Sequence, residues 1–169
     1  MKKTMRRISA AVVATCLILA MSVSVFAGTF TRDDAINKAL KNAGYTKSEV
    51  DWLRAERDDG CIEVEFYVRS TGDKYDYEFS ASNGKMREKS VDIAHTFNSS
   101  SKKIGKSKAI GIVAKAAGVK KSVVKSGICR YKRDDGEWIY KFKFWNGRKQ
   151  YEYELLAPTG QIIEYSIDY

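Results

Sequence analysis

Trp138, Tyr140, Phe142 and Phe144 alternate with Ile139, Lys141, Lys143 and Trp145. That period of two marks a half-buried strand. Asn146-Gly147 follows as a hairpin signal. A turn symmetric about it predicts Phe142 opposite Tyr151, Tyr140 opposite Tyr153 and Trp138 opposite Leu155 on one face, and Lys141 opposite Glu152 on the other. Pro158-Thr159-Gly160 predicts a turn into a last strand over 161–167, and a preceding strand is expected over 124–131. Upstream the period lengthens. Ile110, Val113, Ala114 and Ala117 form a helical stripe closed by Gly118, as do Ile36, Ala39, Leu40 and Ala43, closed by Gly44. Thr31 with Asp34 predicts a capping box. The later helix starts less well, because Gly105 stands where Thr31 does and Lys106 and Lys108 oppose the helix dipole; fraying is expected unless Ser107 caps it.

The pattern occurs twice. Ala35-Ile36 and Ala43-Gly44 match Ala109-Ile110 and Ala117-Gly118 at an offset of 74. The offset then becomes 76, where Arg57 to Gly60 matches Arg133 to Gly136, Tyr75 to Phe79 matches Tyr151 to Leu155, and Ala81, Gly84, Glu88 and Asp92 match Ala157, Gly160, Glu164 and Asp168. A loop between helix and first strand absorbs the two-residue change. The expected fold is therefore α+β, two tandem copies of one helix on a four-stranded antiparallel sheet. The copies span 28–97 and 105–169 with a linker at 98–104; whether their sheets join stays open. By equivalence of register, Glu65 is expected opposite Asp76 and Glu63 opposite Glu78.

Residues 1–27 read as an export signal. Lys2, Lys3, Arg6 and Arg7 precede an apolar run from Ile8 to Phe26, and Val25 and Ala27 suit a cleavage site before Gly28. An uncleaved anchor is the alternative, and the only route by which a membrane enters the picture. Thr15 before Cys16 speaks against lipidation. Removal of the signal leaves a net charge of +5, against +9 for all 169 residues. The chain is then secreted, where a disulfide is permitted. Cys61 and Cys129 are the remaining cysteines; they occupy non-equivalent positions, so a bridge would tie copy to copy, and two free thiols are the alternative.

With Cys16 in the N-terminal segment, only Cys61, Cys129 and His95 remain, one ligand short of a four-ligand zinc site, and no GxxxxGK[ST], GxGxxG or HExxH occurs. No catalytic, cofactor or metal residue is expected, and the chain is read as a non-enzyme. Asp33-Asp34, Asp58-Asp59 and Asp134-Asp135 suit a helix start and two turns before Gly. His95 is expected to be exposed at the end of the first copy.

The ordered set resembles the PepSY family. Thr31-Arg32-Asp33-Asp34-Ala35 with Ala39 to Gly44, then Asp58-Asp59-Gly60, then Tyr75 to Gly84 follow its pattern. The second copy follows from Ala109 to Asp168 but lacks the acidic helix start. The resemblance implies an extracytoplasmic, non-catalytic regulatory or inhibitory module associated with exported peptidases, with an architecture similar to β-lactamase inhibitors. It carries no catalytic residues.

Charge divides the copies. Residues 28–98 carry net −3 and residues 99–169 net +8. Two functions stay open: a module that restrains or assists an exported peptidase or other envelope protein, and an envelope module whose basic second copy holds anionic wall polymer. Nucleic acid is not an expected partner. The outer sheet face of the second copy, with Ile139, Trp145 and Leu156 beside Arg148, is the expected partner surface, since exposed Trp and Arg are favoured interface anchors.

Overall fold

The computed structural model describes residues 30–169. The signal, its cleavage site and Cys16 lie outside the described residues.

Helix α1 (Arg32–Ala43) begins with the expected box. Thr31 Oγ1 accepts from the Asp34 N–H, and the Asp34 carboxylate accepts from the Thr31 N–H at 2.9 Å. Gly44, at φ 84°, closes it. A 3₁₀ turn (Lys47–Glu49) leads into β1 (Val50–Asp58), β2 (Cys61–Val68), β3 (Lys74–Ser80) and β4 (Met86–Asp92). After an irregular connection come α2 (Lys106–Ala116), α3 (Lys121–Lys125), β5 (Ile128–Asp134), β6 (Glu137–Asn146), β7 (Lys149–Leu156) and β8 (Ile162–Asp168). Gly105 starts α2 without any side-chain cap, so Ser107 does not fill that role. The strand expected from 124 starts at Ile128 instead. Val124 belongs to α3, where it is buried in the core.

The strands form one antiparallel sheet in the order β1-β2-β3-β4-β8-β7-β6-β5. The seam is β4 against β8, and it pairs Ser90 with Ser166. Those two residues occupy matching positions at the offset of 76, so a pseudo-two-fold axis passes between them. The helices cover one face. Ala35, Ala39 and Leu40 of α1 pack on Ile62, Val64, Phe66, Tyr77 and Phe79. Ala109, Ile110 and Val113 of α2 pack on Tyr140, Phe142, Phe144, Tyr153 and Leu155. Phe66, Phe79, Phe142 and Phe144 are fully buried, each side chain contributing about 1.5–3 kcal/mol by leaving water.

In the first half the register is the expected one: Glu65 faces Asp76 and Glu63 faces Glu78. In the second it differs by two residues. Phe142 faces Tyr153, Tyr140 faces Leu155, Lys141 faces Glu154 and Lys143 faces Glu152. The turn is centred on Gly147-Arg148, not Asn146-Gly147. Gly147 takes φ 64° at the first central position, which a type II′ turn requires. Strand β6 has ten residues where β2 has eight, and the five-residue β2–β3 connection shrinks to two. Equal sequence spacing thus hides a slip of the strands. Because the slip is even, every side chain keeps its face.

Cys61 and Cys129 are both free. They lie on opposite faces, on strands six places apart in the sheet, roughly 29 Å at ~4.8 Å per strand. A bridge needs Cα atoms within about 7 Å, so the candidate disulfide within one chain is ruled out.

Candidate functional site

The helices all lie on one side, and side-chain alternation places a different set on the other. Across the strands run Glu56, Glu63, Glu78, Glu88 and Asp168, each opposite the next. A second row reads Arg54, Glu65, Asp76, Ser90, Ser166, Glu152 and Lys143, and a third reads Lys74, Asp92, Glu164, Glu154 and Lys141. Like charges directly opposite one another cost about 0.2–1 kcal/mol per pair. The face is hollowed over β2–β4 into a concavity of about 210 Å³, lined by Arg54, Glu63, Glu65, Asp76, Glu78 and Glu88 among others.

Some of this charge is neutralised locally. Lys74 Nζ sits 3.0 Å from Glu65 and 3.2 Å from Asp76. Lys143 meets Glu152 at 2.6 Å and Lys141 meets Glu154 at 2.8 Å. Glu63, Glu88, Asp92, Glu164 and Asp168 have no ion-pair partner among the described residues. Burial, then Asp168 and Glu78, pushes the Glu88 carboxyl above its ordinary range. Burial, then Glu154 and Asp92, does the same to Glu164. Burial raises Asp76 as well, against the pull of Lys74. Glu152 goes the other way, because Lys143 holds it low. Among the described residues no group of three or more His, Cys, Asp or Glu converges to hold a metal ion. The carboxylates spread a negative field over an open surface.

Two expected contact residues are withdrawn from this surface. Ile139 and Leu156 do lie on the outer face, opposite each other, but each is 1% exposed. The connection between the halves is held on the same face, at Glu137. His95 Nε2 lies 2.9 Å from Glu137 Oε2, and the Asn98 N–H donates to Glu137 Oε1. The Phe97 ring lies over Gly136. On the helix side, Tyr140 Oη donates to the Ile104 carbonyl at 2.6 Å, and Lys103 Nζ stands 4.5 Å from the Tyr131 ring centre. The connection is therefore a strap around the β5–β6 end, pinned on the outer face beside Ile139. His95 is exposed at the residue level, as expected, but its side chain is drawn in by Glu137 to 23% exposure. Trp145 stays on the outer face, 50% exposed, with Lys143 Nζ over its ring at 5.8 Å. Arg148 is exposed in the neighbouring turn. With Arg130 and Lys132 of β5 they form a basic, aromatic rim to the acidic face.

Sequence alternation could locate these carboxylates on one face of each strand. It could not join them, because the continuous acidic field depends on β4 meeting β8.

No family model matches the chain, and no curated protein matches it. Solved structures with related shape include the C-terminal domain of YpeB from Bacillus megaterium, with 10% identity over 80% of this chain and 62% of that one, at a TM-score of 0.44. A BLIP-like protein from Bacteroides fragilis shares 12% identity over 80% and 85%, at a TM-score of 0.31. A DUF2874 family protein from Bacteroides uniformis shares 14% over 78% and 86%, at a TM-score of 0.28. Likenesses this distant leave the fold to be read from the chain's own strand pairing, and its role from its own surfaces.

Proposed function

We propose that the chain is a secreted, non-catalytic protein-binding module of PepSY type, whose bare sheet face receives a cationic segment of an exported peptidase and so restrains or assists that enzyme. The observation that carries the reading is the set of unneutralised carboxylates on an open, hollowed sheet face. A partner bringing Lys or Arg to Glu63, Glu88 and Asp168 relieves the repulsion between opposed strands, and that relief adds to the binding. Export rests on the signal-like residues 1–27, and the peptidase rests on the PepSY resemblance.

Affinity capture from culture fluid and cell wall, with residues 28–169 as bait, tests this. The wild type should retain an exported peptidase, and the Glu63→Gln, Glu88→Gln, Asp168→Asn variant should lose it while melting no lower. A second reading has its own observation. Helices α2 and α3 start without an acidic residue and carry Lys106, Lys108, Lys115, Lys121 and Lys125. That surface suits anionic wall polymer. Capture of polymer that survives the carboxylate variant, yet is lost when these lysines become Gln, would put this second reading in place of the first.

A further inference from the structure

The helices leave the middle of their own face uncovered. Between α1 and α2, above the seam strands, lies a groove of about 460 Å³. Its walls include Tyr153, Tyr165, Tyr169 and Ile167, with Asn42 from α1 and Ala117 at the end of α2. Its size and aromatic lining are those of a small-molecule site. One charge stands in it. Lys89 of β4 points to this side, opposite Tyr77 on β3 and Ile167 on β8.

The lysine has no carboxylate partner among the described residues. Its Nζ lies 5.6 Å, 5.5 Å and 5.9 Å from the ring centres of Tyr75, Tyr77 and Tyr165. Its one hydrogen bond is to Asn42 Oδ1, at 3.2 Å. Tyr77 Oη donates to that same oxygen at 3.1 Å. The Asn42 amide is thereby oriented, with both N–H donors left over, and the ammonium keeps two more. Burial, with no acidic neighbour among its causes, lowers the Lys89 pKa. A cation desolvated without an anion is costly. Nor does the fold demand it: the matching position in the other half, at the offset of 76, is Tyr165, which stacks on Tyr153 at 5.6 Å.

We propose that this groove is a binding site for a small organic anion with an aromatic or apolar body, the anionic group taken by Lys89 Nζ and the Asn42 amide and the body laid against Tyr153, Tyr165 and Ile167. The ligand supplies the negative charge that the chain withholds, and the tyrosines exclude water from the pair. This site is on the opposite face from the acidic surface and stands or falls apart from it.

A matched pair of fluorescent probes tests it: 8-anilinonaphthalene-1-sulfonate, and N-phenyl-1-naphthylamine, which has the same aromatic body without the sulfonate. Residues 28–169 should bind the anionic probe saturably at one site. Lys89→Gln should weaken that binding tenfold or more and change the neutral probe less than twofold, whereas Lys89→Arg should retain the anionic probe. Ala117→Trp, which fills the groove, should remove both. If Lys89→Gln fails to fold, displacement from the wild type decides: dodecanoate should compete with the anionic probe and dodecanol should be at least tenfold weaker. Non-saturable binding, equal binding by Lys89→Gln, or equal competition by the acid and the alcohol would overturn the proposal.

Discussion

Ser90 on β4 lies directly opposite Ser166 on β8, and the two are the same position of the two halves. They form a small, uncharged gap in a field of carboxylates: Glu88 faces Asp168 on one side and Asp92 faces Glu164 on the other. A cation placed here meets acids on both strands. Ser166→Lys should therefore stabilise the sheet by about 0.2–1 kcal/mol, measured as a raised midpoint in urea, and should weaken capture of a cationic partner. Stabilisation with capture unchanged would place the partner elsewhere.

Glu88 carries the sharpest pH prediction. Its folded pKa is raised, so the folded state holds this proton more tightly than the unfolded chain does. Ionisation at neutral pH therefore works against folding, and that cost fades as pH falls through the raised value toward the ordinary range near 4.5. Glu88→Gln should stabilise at pH 7, by about 0.2–1 kcal/mol for each of the opposed residues Glu78 and Asp168. The gain should vanish near pH 3.5. Denaturant titrations at both pH values check it, and an equal gain at both would mean that charge is not the cause.

The strap should loosen as pH rises. Bonding to Glu137, opposed by burial, raises the His95 pKa above its ordinary 6.5. For Glu137, burial alone would raise the pKa, but His95 and the Asn98 N–H outweigh it and hold the carboxyl low. A raised histidine gives its full stabilisation below pH 6.5 and loses it as pH climbs through the folded value. His95→Gln should cost about 1 kcal/mol at pH 5.5 and much less at pH 9. Hydrogen exchange at residues 95–104 should show the same dependence.

Gly127 enters β5 where the chain grazes its neighbour. A Cβ there would collide with the Lys143 carbonyl and with Phe144, at 2.9 Å from its Cα. Backbone cannot yield as a flexible side chain does. Gly127→Ala should destabilise by about 1–3 kcal/mol. Gly147→Ala, with nothing within 4 Å, should lose less, through its positive φ alone. Thermal melting of the two variants ranks them.

Mass counting of thiols on denatured, unreduced protein should find both Cys61 and Cys129 reactive, and reductant should leave the melting temperature unchanged. Before denaturation Cys61 should react slowly. Its Sγ lies 2.8 Å from Glu78 Oε1, and that hydrogen bond, with burial behind it, raises the thiol pKa.

What the sequence made legible was local. Thr31 and Asp34 announce their cap because the partners are three residues apart. The Glu65–Asp76 and Glu63–Glu78 pairings come from equivalence of register with the second half, and the first half is where that register holds. The β6–β7 register departs by two from the expected one because the turn uses Gly147 as its first central residue, not its second. Alternation assigns Ile139 and Leu156 to the outer face but says nothing of their exposure, which tertiary packing reduces to 1% each. No pattern in the sequence marks Lys89. Its environment is made by Asn42, Tyr77 and Tyr165, drawn from three distant parts of the chain, and the meeting of β4 and β8 brings the last of them.

That meeting has a consequence for how the chain is made. Strand β8 is synthesised after the other seven strands described, yet it lies inside the sheet, between β4 and β7. Until it arrives, β4 and β7 each present an unpaired edge, the kind of surface on which chains aggregate. A chain stopping before Ile162 would keep its three helices and seven strands but lose the strand that joins its halves. Arrival of β8 is thus tested at the centre of the fold, and a chain still lacking it offers open edges to proteases and chaperones.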